Sequence, residues 1–172
     1  MKLGELLICL LPDVTIAVSE SLREYAQKKY AASLKYIPNG VNTPLTAEVK
    51  EIKKWGLKKD NYILSVSRLV EHKGLHCLIN AYKNLKTDKK LVIVGDGAFT
   101  DDYVKELKDL AGENKNIIFT GSQTGRLLSE LFANAYLFVQ PSESEGMSIA
   151  LLEAMSYKKA VLVSDIPENK EA

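Results

Sequence analysis

Tyr62-Ile63-Leu64-Ser65-Val66 is followed by Ser67-Arg68-Leu69-Val70-Glu71-His72-Lys73-Gly74 and then by residues 75–85. The first run is short, apolar and rich in residues that favour strands. The last carries apolar residues at helical spacing. Between them lies a polar turn. The same rhythm recurs along the chain. Further strands are predicted at residues 14–18, 91–94, 117–119, 136–139 and 160–163. Further helices are predicted at 19–31, 103–110, 127–133 and 148–155, the first with Ser19 as its N-cap.

Strand and helix alternating at this pace imply a parallel sheet with helices on both sides. Leu91-Val92-Ile93-Val94 is apolar throughout, as expected of a strand covered on both faces. The expected fold class is therefore α/β. Ile37-Pro38-Asn39-Gly40-Val41-Asn42-Thr43-Pro44 breaks the pattern, because Pro and Asn-Gly end regular structure. A domain boundary is placed there, dividing 1–40 from 41–172. The first part is a strand–helix–strand piece too small to stand alone. After residue 163 no closing helix is visible.

The 172 residues are 46% hydrophobic and 26% charged, with a net charge of +1. That composition suits a soluble globular chain that can bury a core, and it suggests no nucleic-acid partner. Basic pairs such as Lys28-Lys29 and Lys89-Lys90 read as solvated edges. Cys9 and Cys77 lack a metal-type spacing, which points to a reducing compartment. The apolar start is too short for a membrane span, and Glu5 interrupts it without a cleavage site following. The expected location is the cytoplasm.

Ligands of open parallel sheets bind at the carboxyl ends of strands, so the residues after each strand matter most. After residue 66, Ser67, Arg68 and Lys73 flank a strand–helix turn. Arg grips phosphate oxygens bidentately, Lys adds a point charge, and a helix start supplies amides. That is a diphosphate cradle; two ordinary surface cations would look the same. Gly95 and Gly97 follow the next strand, without the third glycine of a dinucleotide fingerprint. A tight turn and a ligand approach are both open there. Ser122 and Gln123 could face a nucleobase or merely cap a helix. Glu145 and Glu153 are eight residues apart, and a helix between them would span about 12 Å. They could hold hydroxyls at two ends of one ligand, with the amides of Gly146, Met147 and Ser148 between. Glu145 could instead complement a helix dipole. Glu153 sits among apolar neighbours, where a lone carboxylate is costly. His72 and His76 are four apart but find no further ligands for a metal.

Four segments in order resemble retaining glycosyltransferases of the GT-B fold, family 4: Ile37–Asn42 of the quoted break, Ser67–Gly74, Val94–Gly97 and Glu145–Met155. The resemblance runs from about Asp13 to Lys170. It departs at Ser67, where glycine is common, and at Lys158-Lys159, where a glycine is often found. It implies a Rossmann-like donor domain over 41–172, C-terminally truncated, and a remnant of the acceptor domain with its linker over 1–40. It also implies that Arg68 and Lys73 neutralise the leaving diphosphate, that Glu153 holds the ribose, and that Glu145 and the amides after Gly146 grip the sugar. No metal or other cofactor is expected. The implied partners are a nucleotide-sugar donor and a glycan or lipid-linked acceptor in bacterial surface polysaccharide synthesis, with peripheral membrane association of the full enzyme. The chain alone is expected to bind donor weakly, to transfer little sugar and to self-associate through uncovered apolar faces. Competing readings are a sugar-nucleotide epimerase, a phosphorylase and a non-catalytic binding module that needs a partner chain. A dehydrogenase is disfavoured by its missing glycine pattern.

Overall fold

The computed structural model describes residues 2–42, 44 and 48–172. Thr43, in the expected break, lies outside the described residues. The chain opens with helix α1 (Lys2–Leu10), strand β1 (Ile16–Ala17), helix α2 (Glu20–Tyr30) and strand β2 (Lys35–Tyr36). β1 and β2 form a parallel pair. The expected strand at 14–18 is shorter because its partner offers only two residues. Ser19 does cap α2, its hydroxyl accepting from the Leu22 amide. The apolar start, read from sequence only as neither signal nor span, is helical. It is pinned to α2 through Glu5, whose carboxylate accepts from Tyr25 (3.0 Å), Lys29 (2.8 Å) and Tyr30 (2.6 Å).

The second unit alternates as predicted as far as its last strand: β3 (Tyr62–Val66), α3 (Leu75–Asn84), β4 (Lys90–Val94), α4 (Asp101–Ala111), β5 (Ile117–Phe119), α5 (Gly125–Asn134), β6 (Leu137–Gln140), α6 (Ile149–Ser156) and β7 (Ala160–Val163), followed by α7 (Pro167–Glu171). The sheet order is β5-β4-β3-β6-β7, and every pairing is parallel. Side chains of a strand alternate between faces, and here both faces are apolar. Tyr62, Leu64, Val92, Val94 and Phe138 pack with Leu131 and Phe132 of α5 and Leu151 and Ala154 of α6. Ile63, Leu91, Ile93 and Val139 pack on the other side with Leu75 and Ile79 of α3 and Leu107 of α4. Each such side chain contributes about 1.5–3 kcal/mol when fully buried. The sequence expectation of a sheet covered on both faces holds for the three inner strands, β4, β3 and β6. It fails at β7, where Leu162 is 59% exposed.

Two short 3-10 turns, Glu51–Trp55 and Glu71–Lys73, were not anticipated. The first is held by Glu130 of α5, which accepts from the amides of Lys50, Glu51 and Ile52 at 2.5, 3.1 and 3.1 Å. Burial pushes that carboxyl up, but the three backbone donors outweigh it and hold it below its ordinary value. The expectation of no closing helix is corrected by α7. It begins with Pro at its first position, and its Glu171 accepts from the amides of Glu20 (2.5 Å) and Ser21 (3.4 Å) at the start of α2. α6 ends with Lys158 in the left-handed region (φ 57°) and the Lys159 amide bonded to the Ala154 carbonyl. That is a conformation glycine favours, at the place where the chain departs from the resembled family. Among the described residues no helix is long and apolar enough to cross a membrane.

Candidate donor site

The strand order makes β3 the pivot of the sheet. The chain leaves β3 toward β4 on one side, whereas β6 lies on the other. Loops after strands on either side of such a switch point splay apart and leave a crevice. Two adjoining cavities occupy it, of about 420 and 380 Å³, and Val66, Ser67, Arg68, Ile149 and Ala150 line both. The larger is completed by the loops after β4 and β5, the smaller by the segment between β6 and α6.

The crevice is laced together by main-chain contacts. The Ser67 amide donates to Val94 O at 3.0 Å, the Leu69 amide to Asp96 O at 2.8 Å and the Gly95 amide to Gly121 O at 3.0 Å. Gly95 (φ 139°) sits so close to β3 that an added Cβ would lie 1.8 Å from Ser67 O. Its first duty is therefore strand packing, which the sequence left open against approach to a ligand. Across the crevice, a Cβ on Gly74 (φ 66°) would lie 2.3 Å from Pro141 O, and the Glu143 amide donates to His72 O at 2.8 Å. The β3 and β6 rims are thus clamped together at Gly74, a contact that the sequence analysis did not single out.

The residues named from the sequence fall as follows. Ser67 and Arg68 line both cavities. Gly95, Gly97, Ser122, Gln123 and Glu153 line the larger. Lys73, Glu145, Met147 and Ser148 line the smaller. Gly146 lines neither; a Cβ there would meet Val18 at 3.4 Å, so it faces the N-terminal unit instead. Gln123 is already engaged, donating to Thr120 O at 2.6 Å. The helix expected at 148–155 stands shifted by one residue, so a helical rise of about 12 Å does not run from Glu145 to Glu153. Ser148 is its N-cap, accepting from the Leu151 amide, so α6 starts at Ile149 and Glu145 lies in the preceding loop. Likewise α3 starts only at Leu75, so His72 and His76 share no helical face; His76 pairs with the Tyr103 hydroxyl at 2.9 Å.

The charges are unevenly satisfied. Lys73 donates to both Glu145 oxygens at 2.7 Å. Arg68 is exposed and has no acidic partner among the described residues. The Glu153 carboxylate also lacks a hydrogen-bond partner among the described residues, and burial raises it above the ordinary value. The Ser67 hydroxyl oxygen is buried without a partner among the described residues. Two unused hydrogen-bonding groups and one unpaired cation in one crevice suit a polyhydroxylated anion. Asp96 and Gln140 also line it, and no sequence signal singled them out. Among the described residues no group of three His, Cys, Asp or Glu could hold a metal ion.

Comparison with known proteins converges on one family. The family model described as "Glycosyl transferases group 1" matches residues 48–172. Over 107 residues the chain is 37% identical to the N-acetylgalactosamine-N,N'-diacetylbacillosaminyl-diphospho-undecaprenol 4-alpha-N-acetylgalactosaminyltransferase of Campylobacter jejuni, covering 62% of this chain and 28% of that protein. Over 158 residues it is 29% identical to the O-antigen chain mannosyltransferase RfbU of Salmonella typhimurium, covering 88% of this chain and 42% of that one. The fold superposes on Anabaena Alr3699/HepE, solved with UDP and glucose, with a TM-score of 0.83 at 24% identity. That match covers 99% of this chain and 49% of the other. The chain spans less than half the length of each of these relatives. Its family match over the whole five-stranded unit and its GT-B-like α/β architecture place it in the glycosyl transferases group 1 family.

Proposed function

We propose that the chain is the donor-binding half of a retaining glycosyltransferase of family 4 type, moving a hexosyl group from a nucleotide sugar to a glycan or lipid-linked acceptor in surface polysaccharide synthesis. Residues 41–172 form the donor domain, and 1–40 belong with the acceptor domain and linker. The enzyme works in the cytoplasm, at the inner face of the membrane. The observation that carries this reading is the gathering of Arg68, Lys73, Glu145 and Glu153 around one crevice at the switch point of the sheet.

In this reading Arg68 and Lys73 take the diphosphate. The bond between the anomeric carbon and the terminal phosphate oxygen breaks, and its electron pair stays on that oxygen. Fixed cations stabilise the charge that develops. The acceptor oxygen adds to the same face of the sugar, and its proton leaves on the diphosphate. Glu153 accepts from the ribose hydroxyls, which relieves a carboxylate that burial has left unpaired. Glu145 grips the sugar. Ser67 and the loop bearing Ser122 and Gln123 meet the nucleoside. No metal is needed, because the two cations supply the charge.

Titration calorimetry with UDP, GDP and ADP tests the assignment. One nucleotide should bind selectively, and Arg68→Ala/Lys73→Ala should weaken it at least about a hundredfold, since hydrogen bonds to charged groups contribute about 1.5–3 kcal/mol each. Equal binding by the folded double variant would refute the cradle.

A further inference from the structure

We infer that Glu145 discriminates between the nucleotide sugar and the nucleoside diphosphate left after transfer, by competing with the terminal phosphate for Lys73. The inference rests on the donor-site reading above. Its basis is the unequal state of the two cations. Lys73 Nζ lies 2.7 Å from both carboxylate oxygens of Glu145, and the two side chains are only 13% and 7% exposed. Arg68, on the same turn, has no acidic partner among the described residues. An incoming diphosphate thus meets one free cation and one already neutralised. Glu145 is the sole carboxylate lining the smaller cavity among the described residues, since Asp96 and Glu153 line the larger.

To engage Lys73, a phosphate must displace Glu145 or share the ammonium with it. A nearly buried carboxylate does not give up its partner without replacement. The nucleotide sugar brings one. Its terminal phosphate is a diester with a single charge, and the sugar hydroxyls beside it can donate to Glu145 as Lys73 turns to the phosphate. After transfer the sugar is gone. The terminal phosphate then keeps only its anhydride link and gains a second charge above a pKa of about 6. It then faces Glu145 with no hydroxyl between them, and like charges repel strongly where a carboxylate is only 7% exposed. Glu145 recaptures Lys73, and the product is released. The residue that holds the substrate is in this way the one that ejects the product.

The test has an unusual sign: a change in a donor-contacting residue should tighten product binding. UDP, GDP and ADP are titrated into the wild-type chain and into Glu145→Gln, with circular dichroism confirming the fold. The diphosphate that binds wild type should bind Glu145→Gln about tenfold tighter, a change of about 1.4 kcal/mol. A second measurement needs no variant. Each diphosphate is compared with its terminal methyl ester, which carries less charge, on the wild-type chain. A cradle of two free cations would prefer the free diphosphate strongly, whereas Glu145 should make the ester bind equally well or better. A folded Glu145→Gln that binds diphosphate no tighter overturns the inference, as does a wild-type chain that binds the ester tenfold more weakly. Either result leaves the donor site standing. Absence of nucleotide binding by both proteins overturns the donor site and the inference together.

Discussion

The two units are held together by different forces. In the five-stranded unit, apolar side chains fill both faces of the sheet, and Leu64, Leu91 and Phe138 are fully buried. In the N-terminal unit the buried apolar residues are the small Ala17, Ala26 and Ala32, while Leu3, Ile8 and Leu11 are more than half exposed. What fixes that unit is polar: Glu5 gathers Tyr25, Lys29 and Tyr30, and Glu171 caps α2 from the far end of the chain. The five-stranded unit carries its own core. The N-terminal unit depends on directional bonds to define its position.

Matched truncations break the comparison most directly. Phe138→Ala, in the central sheet, should cost about 3–5 kcal/mol by lost transfer and a cavity. Ile16→Ala, 53% exposed on β1, should cost less than about 1 kcal/mol. Urea unfolding of the two variants measures the gap, and similar costs would show a core in the N-terminal unit that burial does not reveal.

Lys158→Gly sharpens the comparison from the other side, at a helix end inside the well-packed unit. Relief of the left-handed backbone should stabilise the protein by about 1 kcal/mol, within the 1–2 kcal/mol that such a conformation costs a residue with a Cβ. Thermal melts report it, and a lowered midpoint would mean that the lysine side chain offsets its strain.

The smallest effect concerns acid. Hydrogen bonds from Lys29 and then from the two tyrosines lower the Glu5 carboxyl to about 2. Its folded value lies below its ordinary one, so its contribution is full above the usual carboxylate range and is lost as pH falls through about 2. Amide exchange in α1 should therefore quicken in acid before that of β3 or β4, and Glu5→Gln should show quick α1 exchange already at neutral pH. Exchange in α1 unchanged by Glu5→Gln would argue against this tie.

The strands were legible because their signal is local. Tyr62-Ile63-Leu64-Ser65-Val66 needs no distant partner to be read, and β3, β5 and β7 match their predicted spans. The cleft loops were legible for the same reason, since they follow strand ends. Features that depend on distant partners were not. Helix α7 has five residues and is placed by Glu171 bonding to Glu20 and Ser21, 150 residues away in sequence. The Lys73–Glu145 pair joins residues 72 apart. Helix α6 was read one residue early, from Ser148, whose hydroxyl instead caps it by accepting from the Leu151 amide. Gly146 was assigned to the crevice from its neighbours, yet it faces Val18, which only tertiary packing reveals.

The clamp at Gly74 and Pro141 bears on the order in which the molecule is made. Its halves belong to β3 and β6, neighbours in space but separated in the chain by two strands and three helices. Contacts of such long sequence separation close slowly, because loop entropy must be overcome before they form. As the polypeptide emerges from the ribosome, the turn bearing Arg68 and Lys73 is complete long before Glu145 exists. The crevice is therefore a late product of folding. A chain stalled after β5 would present its cations to solvent with no carboxylate to restrain them.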